Sequence, residues 1–92
     1  MIDKHLVYLN NSIKSYRKDE IDVLGFYWSN KGIVEEISIS YPQIQDNLRD
    51  LFCDISVMIG LREMYGSIDL KNMLQTIEKI ERLISSLPNQ KP

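Results

Sequence analysis

Six apolar residues near the end of the chain, Leu70, Met73, Ile77, Ile80, Ile84 and Leu87, are spaced 3, 4, 3, 4 and 3 apart. Only a helix of about 3.6 residues per turn gathers such a set on one face; a strand would need alternation by two. Ser67 and Asp69 supply starting caps, and Pro88 is a stop, because the residue before a proline disfavours helix. The same rhythm runs through Ile44, Leu48, Leu51, Ile55, Met58, Arg62 and Tyr65, with Phe52 and Ile59 widening the apolar face. Gly66 ends that run. Two long helices joined by about three residues have to fold back antiparallel, each offering a seam that another helix must cover.

The first half supplies the covering helices. Ile2, Leu6, Leu9, Ile13 and Tyr16 mark one helix face. Asp19 is placed to cap a second helix, with Glu20 and Asp22 suiting its positive first turn and Ile21, Leu24 and Trp28 turned inward. Ser29-Asn30-Lys31-Gly32 reads as its stop. Over 33–41 the pattern is two-valued: Ile37, Ile39 and Tyr41 alternate as in a strand, while Ile33, Ile37 and Tyr41 fit a helix, so this piece is a short fifth helix or an extended connector. Ser40 and Gln43 have capping-box spacing, and Pro42 fits the first turn of the next helix, where its missing N–H is harmless. The expected fold is all-α, an antiparallel bundle of four main helices, one domain over 1–88 with a flexible tail at 89–92.

Ninety-two residues suffice for one core and not for two. No apolar run of about 18 residues is present to span a bilayer and no signal peptide is apparent, so a cytoplasmic protein is expected. A net charge of −2 gives no general reason to bind nucleic acid, where phosphate neutralisation by Lys and Arg dominates. Cys53 is the only cysteine, so no internal disulfide forms, and within a helical apolar pattern it is expected to be a small buried hydrophobe. The chain has thirteen isoleucines and no alanine, a bias suggestive of AT-rich coding in a mobile element or phage.

Catalytic and cofactor signatures are weak. His5 is the sole histidine, so a catalytic arrangement around it would need long-range partners, and structural zinc lacks ligands beyond His5 and Cys53. The glycines at 25, 32, 60 and 66 lie too far apart for a phosphate-cradling loop. Gly60, inside the longest helix, is read as a close helix contact or a bend. Phe26, Tyr27, Trp28 and Tyr41 concentrate the aromatic rings, either as a plug at one end of the core or as exposed binding groups. No cofactor, metal or enzymatic activity is expected.

Asp46, Asp50 and Asp54 remain. Four residues apart on a helix, they drift by only about 40° per step and form a row flanking the apolar stripe. Each like-charged pair costs a few tenths of a kcal/mol, which Arg49 relieves only in part. Glu35 and Glu36 precede the row, and Asp19, Glu20 and Asp22 form a second acidic group. The row is either a solvated face or a docking surface for a basic protein, for which complementary charge raises the association rate and selects the partner.

In layout the chain resembles the small helical immunity proteins that protect bacteria from their own toxins, most nearly the colicin D type. LVYLNNSIKSYRKDEIDVLGFYWS looks like that family's first helix, polar turn and aromatic-bearing second helix, LRDLFCDISVMI like its central helix, and SIDLKNMLQTIEKIERLI like its last. The resemblance implies an acidic inhibitor that covers the cationic site of a ribonuclease-type toxin, with Glu35, Glu36, Asp46, Asp50 and Asp54 as the partner-binding positions. Its partner would be a cognate toxin with a basic surface, and the inhibitor a monomer. The alternatives are a phage-encoded inhibitor of a host defence protein, and a dimerisation module using the Leu70–Leu87 seam.

Overall fold

The structure, a computed structural model, describes residues 3–87, so Ile2, the Pro88 stop and the tail at 89–92 lie outside the described residues. Four helices follow in order: α1 (Lys4–Arg17), α2 (Val23–Ser40), α3 (Gln45–Tyr65) and α4 (Leu70–Ser85), with one 3-10 turn, Pro42–Ile44, leading into α3. No strand occurs among the described residues, and the fold is an all-α bundle. The short connections leave successive helices antiparallel. Consistent with this, the Tyr41 hydroxyl, just past α2, donates to Asp3 Oδ2 at the head of α1 at 3.1 Å.

Three helices begin on an aspartate. The amides of His5, Gly25 and Asn72 donate to Asp3, Asp22 and Asp69 at 2.8, 2.8 and 3.2 Å, satisfying donors that the first helical turn leaves open. α3 ends as expected at Gly66, whose left-handed backbone (φ 86°) suits a residue without Cβ. Pro42 sits in the first turn, but the expected Ser40–Gln43 capping box does not form, and Tyr41 precedes the turn with no side-chain cap.

The expectations for α2 are corrected. Asp19 caps nothing: it lies in the left-handed conformation (φ 59°) and closes α1, while Asp22 caps α2. The helix runs through Ser29–Gly32 to Ser40, so 33–41 is neither a separate helix nor a connector. Glycine within a helix costs about 1 kcal/mol. Burying Val34 and Ile37 beyond it, each worth roughly 1.5–3 kcal/mol, outweighs that cost. The longer helix also sets a different inward face. Val23, Phe26, Asn30, Val34 and Ile37 are buried, and Trp28 points out at 63% exposure.

The core joins all four helices. Leu6, Leu9 and Ile13 meet Phe26 and Ile37, Leu48 and Ile55, and Met73, Ile77, Ile80, Ile84 and Leu87, each at most 1% exposed. Phe26 lies between the rings of Tyr16 and Phe52, each 5.9 Å away centroid to centroid. The α4 seam is thus filled by its own chain from Met73 onward, leaving Leu70 exposed and nothing free for the seam dimer. Tyr65, expected on the inner stripe, is exposed as well. Gly60 is no close contact, because a Cβ there would meet nothing within 4 Å.

Candidate functional site

α3 is the helix that decides the surface. Its inner stripe of Leu48, Phe52, Ile55 and Met58 fixes its rotation, and the outward side chains then divide between two furrows. Toward α2 the furrow is lined by Tyr27, Lys31, Glu35, Arg49 and Cys53, with a volume of about 290 Å3. Toward α4 a furrow of about 350 Å3 is lined by Asn47, Asp50, Leu51, Lys79, Arg82 and Leu83. It continues along the same helix pair past Asp54, Val57, Leu61 and Gln75, with Lys79 shared by both stretches.

The aspartate row is present as a geometric object. Asp46, Asp50 and Asp54 are all exposed on the continuous helix α3. Eight residues at about 1.5 Å rise spread them over about 12 Å. With a drift of about 40° per step, the row passes obliquely from the outer face of α3 at Asp46 to the edge of the α4 furrow at Asp50 and Asp54. Among the described residues none of the three carboxylates has a hydrogen bond or an ion pair within 4 Å.

Glu35 and Glu36 do not join it. Arg49 Nη2 reaches across to Glu35 Oε2 on α2 at 3.1 Å, on the opposite flank of α3, so the cation expected to relieve the row is committed elsewhere. Glu36, about 100° further round α2, is turned away from α3. Asp19 and Asp22 lie at the other end of the molecule, in a furrow shared with Tyr16, Arg62 and Ile68.

Sequence reasoning overlooked a neighbouring apolar patch. Val57, Leu61 and Met64 are exposed by 55%, 46% and 73%, and two of them line the furrow that Asp54 edges. The signal was a second apolar run at 4-3 spacing, offset from the inner stripe of α3. Trp28 forms another exposed feature on α2, packed edge-on against Tyr27 with its rings 5.3 Å apart, and under the Lys31 ammonium at 5.1 Å. Phe26 and Tyr41 are buried and Tyr27 is half-buried, so the aromatic cluster divides between core plug and surface. Cys53 is exposed, contrary to expectation, because its register on α3 is near the outer face.

His5 is held in a local cap contact, with Nδ1 3.5 Å from Asp3 Oδ1. Burial alone would raise the Asp3 pKa, but hydrogen bonds from the His5 amide, the Tyr41 hydroxyl and the Leu6 amide, with the nearby imidazole, hold it below the ordinary carboxylate value. Among the described residues no three His, Cys, Asp or Glu side chains converge as a metal would require, and no helix is long and apolar enough to cross a membrane. What the α3 face offers chemically is complementarity: fixed negative charge beside exposed apolar side chains. No family model matches the chain, and neither a curated protein nor a solved structure matches it.

Proposed function

We propose that this protein acts stoichiometrically as an immunity-type inhibitor, binding a basic protein partner of the toxin class through the α3 face and masking the partner's functional surface. The observation that carries this reading is the row of Asp46, Asp50 and Asp54, exposed and without intramolecular ion pairs among the described residues, on a rigid helix beside Val57 and Leu61. Three like charges at four-residue spacing cost the free helix a few tenths of a kcal/mol per pair. A cationic partner turns that repulsion into attraction. Fixed charges steer encounter, and the adjacent apolar side chains supply the desolvated contacts that slow dissociation. Glu35, already paired with Arg49, contributes less, and Glu36 faces away.

The layout likeness to colicin D-type immunity proteins supports the same reading, with carboxylates standing where an RNA substrate would place phosphates. The test is a titration with the toxin-like product of the neighbouring gene. A one-to-one complex that weakens with salt, and weakens strongly in Asp50→Lys/Asp54→Lys, is the expected outcome. No complex with the wild-type chain, or equal binding by the variant, refutes the proposal.

A further inference from the structure

We infer that the α3–α4 face also binds a second copy of this chain, through a two-fold axis running parallel to the two helices. The order of charges across the furrow carries the inference. Asp50 and Asp54 stand on its α3 side, and Lys79 and Arg82 stand at the same heights on its α4 side. None of these four pairs with another across the furrow: the two aspartates and Lys79 have no ion pair among the described residues, and Arg82 has only a loose intrahelical contact with Glu78 at 3.9 Å. A partner that fits must present the reverse order, cations opposite α3 and carboxylates opposite α4, at the same pitch. The chain itself meets that requirement.

A two-fold axis along the furrow keeps helix direction, so α3 of each copy faces α4 of the other at equal height. Asp50 and Asp54 then oppose Lys79 and Arg82 of the second copy twice over. Toward the other end of the face, Val57 and Leu61 of each copy come to lie over Asn72, Gln75 and Thr76 of the other copy and leave water. A two-fold axis in the plane of the face but at right angles to the helices would set the charged half on the apolar half, which the parallel axis avoids. The face is about 24 Å long, from 16 residues of α4, and two helix widths of about 10 Å across. That footprint is on the order of 500 Å2 per copy, at the lower bound for a specific interface, so weak, concentration-dependent association is expected.

The inference stands independently of the partner-binding reading. Sedimentation velocity from 1 to about 500 µM tests it with two charge reversals, Asp50→Lys/Asp54→Lys and Lys79→Asp/Arg82→Asp, and with their equimolar mixture. Each reversed variant makes both facing pairs like-charged and is expected to be monomeric throughout. The mixture makes every facing pair opposite and is expected to return the dimer, at least about tenfold tighter than either variant alone. A wild-type chain that stays monomeric, a dimer indifferent to both reversals, or a mixture that fails to associate overturns the inference. Lys79→Asp/Arg82→Asp keeps all three aspartates of the row. Partner binding by that variant therefore reports on the proposed function separately from self-association.

Discussion

Asn30 leaves an unpartnered polar atom in the core, and replacing it with leucine should stabilise the protein. Its side chain is fully buried on the inner face of α2, where Nδ2 donates to the Phe26 carbonyl at 2.9 Å while Oδ1 has no partner. An orphaned buried acceptor costs about 1–3 kcal/mol, and the bond given up is worth about 1 kcal/mol net. The Phe26 carbonyl keeps its helical amide partner, and leucine adds about half a kcal/mol of helix propensity and two buried methyl groups of nearly the same shape. Asn30→Leu should therefore gain about 1–2 kcal/mol. Ser38, two turns further on and also fully buried, has an unpartnered Oγ, so Ser38→Ala should gain about 1 kcal/mol by the same reasoning. The two sites lie about 12 Å apart along α2, far enough for the gains to add to about 2–3 kcal/mol. For a domain of this size that raises Tm by roughly 10–20 °C. Urea unfolding followed by circular dichroism measures it, with an unchanged slope marking a pure stability effect. Destabilisation by Asn30→Leu refutes the reasoning and points to a polar partner, such as a buried water, on Oδ1.

Two glycines, one within α3 and one just past its end, should respond oppositely to alanine. Gly60→Ala fills open space within a helix and is expected to add about 0.5–1 kcal/mol, whereas Gly66→Ala forces a Cβ into the left-handed conformation and should cost about 1 kcal/mol, both read from urea midpoints. The depressed Asp3 carboxyl gives stability that is fully present above its unfolded pKa and is lost as pH falls through its lower folded value. Wild type should thus lose stability between about pH 5 and pH 2 more steeply than Asp3→Asn, and parallel acid limbs for the two proteins would contradict that assignment.

The parts of the fold legible in sequence are those where period, cap and stop agree. α1, α3 and α4 each carry a clean 4-3 stripe, and Gly66 and Asp69 punctuate the last two. In α2 those signals conflict. Its apolar and aromatic residues run nearly all the way round, leaving Trp28 and Ile39 exposed, and Gly32 sits where a stop is expected. Burial of Val34 and Ile37 decides the outcome, and burial depends on residues distant in sequence. The aspartate row was legible because it needs only helical spacing. The commitment of Arg49 to Glu35 was not, since that ion pair joins two helices and depends on the rotation of each. The α4 furrow, where the row meets Lys79 and Arg82, likewise exists only once α3 and α4 are packed side by side.

The most direct measurement is the rate at which the product of the neighbouring gene associates with wild type and with Asp50→Lys/Asp54→Lys, followed by stopped flow at low and high salt. If the row steers a basic partner, the variant associates at least about tenfold more slowly at low ionic strength, and the two rates converge once salt shortens the Debye length to about 3 Å at 1 M. Equal rates at low salt would contradict the proposal and remove Asp50 and Asp54 from recognition of a basic partner.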